Sequence, residues 1–172
     1  MPSRLVAPIS LLALLACATT EAPAPTPDPE VARAAVDSVL TALHQTASEG
    51  AWDLYFALYA PDAVFFGTDA TERWSLEEFR GYASGSRGWT YEMTERHVFV
   101  DDDASTAWFD ERLENAAYGE TRGTGVLRRT DDGWKIAQYN LTIPIPNPLA
   151  AEFAERIRGL DAAPADTSAT PE

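Results

Sequence analysis

The chain has 172 residues, 27 acidic against 13 basic, for a formal net charge of −14. The clustered Lys and Arg that phosphate backbones require are missing, so nucleic-acid binding is excluded. One Cys and two His exclude an intrachain disulfide, a thiolate zinc site and a multi-histidine metal centre. A 45% hydrophobic and 10% aromatic content supplies a core.

Residues 1–16 place Arg4 before an apolar run, Leu5 to Ala16. That run is too short for a membrane-spanning helix, which needs ~20 residues, and reads as a secretory signal. Leu14-Leu15-Ala16-Cys17 resembles the bacterial lipobox. The resemblance implies cleavage before Cys17, lipidation of its thiol, and a location in the cell envelope outside the cytoplasm. The other reading is an ordinary signal peptide with a chance Cys. Cleavage leaves 12 basic residues against 27 acidic, or −15. Anionic headgroups repel such a body, so lipid on Cys17 must hold it. Residues 17–30 alternate Pro23, Pro25, Pro27 and Pro29 with small or acidic residues, an extended tether. Residues 161–172 read as an acidic, disordered tail. The folded domain is therefore 31–160.

Within it, apolar residues at 31, 35, 36, 39, 40 and 43 predict a first helix that Gly50 ends. Ala51 to Tyr59 predicts a second helix, stopped by Pro61. Ala63 to Gly67 is a short strand. Ser75 is an N-cap, with Glu77 and Glu78 in the first turn of a third helix reaching about Ala83. Four strands follow: Trp89–Val100, Ser105–Glu114, Glu120–Arg129 and Trp134–Ile143. Prolines 144, 146 and 148 end the sheet, and Leu149–Arg158 predicts a closing amphipathic helix. The class is α+β, with helices grouped on one face of a curved antiparallel sheet.

Trp52–Tyr59, Phe66-Gly67-Thr68-Asp69, Ala107-Trp108-Phe109-Asp110-Glu111, Arg122–Leu127 and Asp132-Gly133-Trp134-Lys135-Ile136 carry a resemblance. Over about residues 31–145 the chain is similar to the SnoaL-like branch of the nuclear-transport-factor-2-like superfamily. The resemblance implies a cone: a curved sheet wrapped on three N-terminal helices, a short C-terminal helix, an internal pocket, and a homodimer through the sheet's outer face. That superfamily holds isomerases, dehydratases, cyclases and non-catalytic binders, so the fold leaves the chemistry open. Its isomerases set an Asp base opposite a Tyr or an acid pair, and no clear equivalent is found here.

Asp131-Asp132-Gly133 fits a three-residue hairpin loop. It pairs Val126 with Gln138, Thr124 with Asn140 and Arg122 with Thr142, so these residues share a face. Given the fold, this polar face is assigned to the cone interior. Leu127, Tyr139 and Leu141, beside Gly123 and Gly125, go to a dimer face together with Trp108. Phe109 and Glu111 point inward, where Glu111 meets Arg122.

Glu111 is then either a general base or one half of a charged pair that orders the pocket. Gln138 and Asn140 either bond a ligand or satisfy each other. Tyr55, Tyr59, Trp89 and Tyr91 form an aromatic mouth or part of the core. His97 is placed at the surface and His44 is given no role. No cofactor motif or metal-ligand spacing is present. The expected function is a membrane-anchored module that binds a small amphipathic molecule through Tyr55, Tyr59, Phe109, Arg122, Thr124, Gln138 and Asn140. The alternatives are a cofactor-free isomerase, dehydratase or hydrolase using Glu111, and an envelope interaction protein without ligand.

Overall fold

The computed structural model describes residues 28–161. The signal segment, Cys17, most of the tether and the tail lie outside the described residues. No helix among those described is long and apolar enough to cross a membrane.

Helix α1 (Pro29–Glu49) opens on Asp28, whose carboxylate accepts from the Glu30 N–H at 2.8 Å. It buries Ala32, Val36, Leu40, Leu43 and Ala47 along one stripe. Gly50, at φ +65°, ends it in the left-handed conformation glycine allows. Helix α2 (Trp52–Ala57) is shorter than its aromatic pattern suggests. Tyr59 already belongs to strand β1 (Tyr59–Phe66), which takes Pro61 into the sheet. Pro61 falls where the register against the neighbouring strand shifts, so its missing N–H breaks no ladder.

After β2 (Arg73–Ser75), Ser75 and Glu78 form a reciprocal capping box that starts α3 (Leu76–Ala83). The helix delivers buried Phe79 onto the Phe65 ring, centroids 3.8 Å apart. Strands β3 (Glu92–Val100), β4 (Thr106–Asn115), β5 (Gly119–Thr130) and β6 (Gly133–Thr142) follow. The sheet order is β2-β1-β6-β5-β4-β3. Every neighbouring pair is antiparallel except β1 with β6. The three N-terminal helices cover one face.

The β5–β6 hairpin closes with Thr130 opposite Gly133, one residue tighter than expected. A register shift between Val126 and Leu127 compensates, so Val126–Gln138, Thr124–Asn140 and Arg122–Thr142 are still paired. The side of the sheet they occupy is the reverse of the expectation. Leu127 and Tyr139 are buried and Leu141 packs against the core, so they cannot form a dimer face. Arg122, Thr124, Gln138 and Asn140 lie on the outer face. Hydration satisfies these polar groups there, whereas the apolar residues gain by leaving water. The glycines explain the inversion. A Cβ at Gly123 would lie 2.5 Å from the Tyr139 hydroxyl, and one at Gly125 would lie 2.8 Å from Phe109 Cε1. Both positions admit the protein's own side chains, not a second molecule.

Helix α4 (Ala150–Asp161) does not close over the body. Residues 150–160 are all exposed, and its contacts are mainly with the turn at Asn147–Leu149.

Candidate functional site

Glu111, on β4, points inward as expected, and its side chain is fully buried. Its partner is not Arg122. In the β4–β5 register Glu111 faces Gly123, while Arg122 faces Arg112 on the opposite side of the sheet. Glu111 is directly opposite Arg96 of β3, whose Nε donates to Oε2 at 2.8 Å. Oε1 accepts from the Tyr139 hydroxyl at 2.9 Å and lies 2.9 Å from His44 Nε2 on α1. Arg96 reaches on to α1, where Nη1 donates to Asp37 Oδ1 at 2.9 Å and to Thr41 Oγ1 at 3.1 Å. One helix and three strands thus converge on a single carboxylate.

Burial by itself raises the pKa of Glu111. The hydrogen bond from His44, the field of His44 and the Arg96 guanidinium together outweigh it and hold the carboxyl below its usual range. A carboxylate so engaged, with no access to solvent, is a poor general base, which favours the charged-pair alternative for Glu111. His44 and Tyr139 are the members of the cluster that reach a cavity, and His44 is the one with a ring nitrogen to spare. Its Nε2 is taken by Glu111, and Nδ1 has no hydrogen-bond partner among the described residues.

That cavity lies between the helices and the inner sheet face and has a volume of ≈ 380 Å³. Nine of its lining residues are aromatic, Tyr55, Trp74 and Phe79 among them. Trp89, Tyr91, Tyr118, Asn115 and Glu72 also line it. His44 and Tyr139 supply polar groups, and Leu43 and Leu141 apolar ones.

Of the residues predicted to bind ligand, only Tyr55 lines this cavity. Tyr59 is buried behind it, its hydroxyl 2.9 Å from that of Tyr55. Phe109 is a core residue, packed at 5.8 Å from the Tyr139 ring. Gln138 and Asn140 border a shallow depression on the outer face, and Arg122 and Thr124 share that face. Trp108 is exposed there, stacked on Phe99 at 5.7 Å, as its predicted outward placement requires. Tyr139 and Leu141, assigned to a dimer face, line the cavity instead.

The SnoaL-like domain family matches residues 36–146. The chain belongs to that family. Solved structures agree in fold. A nuclear-transport-factor-2-like protein of unknown function from Pseudomonas putida superposes with a TM-score of 0.58 at 15% identity, covering 69% of this chain and 90% of that one. A protein with a cystatin-like fold from Burkholderia xenovorans gives 0.59 at 18% identity, covering 67% and 95%. A ketosteroid isomerase-like protein from Erwinia carotovora atroseptica gives 0.51 at 18%, covering 66% and 97%. No curated protein matches the chain in sequence.

In this SnoaL-like domain, sequence reasoning missed His44, Arg96 and Trp74, and misplaced Tyr139. A signal for two of them existed. Asp37, Thr41 and His44 recur at helical spacing along the border of the buried stripe of α1. Arg96 alternates with Val98 and Val100 on β3, an inward position for a charge that then needs a buried partner.

Proposed function

We propose that this SnoaL-like domain binds a small amphipathic molecule in the aromatic cavity, which offers polar groups at His44 and Glu72. The observation that carries the reading is a ≈ 380 Å³ cavity walled mainly by aromatic rings into which one positioned imidazole reaches. Such sites combine an apolar wall with a few fixed polar groups. Trp74 and Trp89 both line the cavity, so occupancy changes their fluorescence. Titration with naphthalene derivatives bearing a hydroxyl, an ammonium or a carboxylate is expected to give saturable binding for at least one. Leu43→Trp, which fills the cavity, abolishes it. Binding by none of the three, or equal binding by Leu43→Trp, overturns the reading.

A second reading rests on the His44–Glu111 pair. An imidazole oriented by a buried carboxylate can accept and return a proton, as a cofactor-free isomerisation or dehydration requires. Glu111 then positions His44 and does not touch the substrate. Turnover of a cyclic enone or a β-hydroxy carbonyl compound, lost in His44→Leu, tests it.

Two further proposals concern placement. The lipobox-like Leu14–Cys17 supports anchoring through lipid on Cys17, and Cys17→Ser is expected to release the protein from the membrane fraction. Exposed Trp108 and Phe99 support homodimerisation through the outer sheet face. Sedimentation of Trp108→Asp as a monomer, against a wild-type dimer, is the expected result.

A further inference from the structure

The cavity has a charge asymmetry that its aromatic walls do not explain. None of its lining residues is Lys or Arg, and its one carboxylate belongs to Glu72. Glu72 is half-buried. Its Oε2 accepts from the Asp69 N–H at 3.1 Å. Among the described residues it has no ion-pair partner. Gly67 makes its position possible, because a Cβ there would collide with the Glu72 carboxylate.

Glu72 and Trp74 stand two residues apart entering β2, so they share a face, and both line the cavity. Arg73, between them, is turned away, with its guanidinium 5.8 Å from the Phe66 ring centroid. Phe66 borders the outer depression and not the cavity, whereas Glu72 borders both. Tyr82 from α3 packs on Trp74, centroids 4.8 Å apart, and also lines the cavity. The result is a carboxylate with no ion-pair partner among the described residues, beside two aromatic rings in a pocket lined by no Lys or Arg.

Each class of ligand meets this arrangement differently. An anion finds Glu72 and no guanidinium or ammonium, on a chain of formal charge −14. A neutral molecule gains from the rings and can return a hydrogen bond for the water it strips from Glu72, but it brings no opposite charge. An organic cation gains from both the carboxylate charge and the aromatic faces, at a corner where Tyr82 is 61% exposed.

We propose that the cavity selects a tertiary or quaternary ammonium ion on an apolar body, its head held by Glu72, Trp74 and Tyr82. The proposal rests on the ligand-binding reading of the same cavity. It is tested on the full chain with three probes of one shape: naphthylmethyl-trimethylammonium, naphthalenemethanol and naphthaleneacetate. The ammonium is expected to bind about tenfold more tightly than the alcohol, and the acetate most weakly. Glu72→Gln, whose amide oxygen still accepts from Asp69, is expected to lower ammonium affinity about five- to tenfold and to leave the alcohol unchanged. Trp74→Leu narrows the gap between ammonium and alcohol from the other side. If alcohol and ammonium bind equally, or if Glu72→Gln leaves their ratio intact, ammonium selectivity is refuted while the cavity remains a ligand site. If none of the three binds, both readings fall.

Discussion

His44 on α1 and Glu111 on β4 are 67 residues apart in sequence and meet at 2.9 Å through Nε2 and Oε1. The same carboxylate holds Arg96 and Tyr139, so helix and sheet are joined at one buried charge. Glu111→Ala therefore does more than delete a hydrogen bond. It leaves the Arg96 guanidinium, which is 3% exposed, with half-exposed Asp37 as its one remaining carboxylate among the described residues. Breaking a buried pair in this way costs ~3–5 kcal/mol. Glu111→Gln keeps the shape and costs less, ~1–3 kcal/mol. Arg96→Met combined with Glu111→Leu removes both charges and is expected to cost less than the two single changes summed. Urea unfolding of the four proteins measures this, and strict additivity contradicts the coupling.

The ionisable core sets two pH limits. The folded Glu111 carboxyl lies below its ordinary value of 4.5 because His44 and Arg96 outweigh burial. Its stabilisation is therefore complete above that value and is lost as pH falls through the folded pKa. Asp62, Asp69 and Glu78 at the surface are also held low by their hydrogen bonds, so they share the acid limb. Subtracting the Glu111→Gln profile isolates the buried contribution. On the alkaline side, burial raises Tyr55, Tyr59 and Tyr139 above 10.0. Their folded forms keep protons that the unfolded chain releases, so stability falls as pH rises past 10. Tyr139→Phe is expected to shallow that alkaline slope by one proton. An unchanged slope would show that Tyr139 does not carry it.

How much of this could be read from residues alone depended on the range of the signal. The capping box at Ser75 and Glu78 is local chemistry within four residues, and it is present. The pairing of Val126 with Gln138 also holds, but only because the register shift between Val126 and Leu127 offsets a hairpin one residue tighter than expected. Which face turns inward is a tertiary question. A strand face of Gly123, Gly125, Tyr139 and Leu141 looks alike whether it backs onto a partner or onto its own core. Only the approach of Phe109 to Gly125 and of Tyr139 to Gly123 distinguishes the two. Glu111 was singled out correctly as an inward charge, but its partner came from the strand on its other side. The Arg122 alternative had the right charge on the wrong face.

Glycine substitutions probe the same packing. Gly125→Ala would drive its methyl into the Gln138 carbonyl oxygen and to within 2.8 Å of Phe109 Cε1. Backbone cannot give way as a side chain can, so the expected cost is ~1–3 kcal/mol, in the upper part of that range. Gly81, in the middle of α3, has nothing within 4 Å of its added Cβ. Gly81→Ala is expected to stabilise by ~0.5–1 kcal/mol, through helix propensity. Chemical denaturation reports both signs. A destabilising Gly81→Ala, or a neutral Gly125→Ala, contradicts the packing described.

His44→Leu separates the two forces acting on Glu111. Burial remains and still pushes the carboxyl pKa up, whereas the largest opposing influence, the hydrogen bond from His44, is gone. The folded pKa of Glu111 therefore rises, and its share of the acid limb moves to higher pH. Arg96 and Tyr139 continue to hold the carboxylate, so the domain stays folded at neutral pH and loses about 1.5–3 kcal/mol, as for one hydrogen bond to a charged group. His97→Leu is the control. His97 sits on the outer face, 3.2 Å from Asp110, and is half exposed. Removing it leaves Glu111 untouched. Urea midpoints followed from pH 3 to 7 discriminate the outcomes. If His44→Leu and wild type share one acid limb, His44 does not set the ionisation of Glu111, and the imidazole loses its claim to be the positioned group of the cavity.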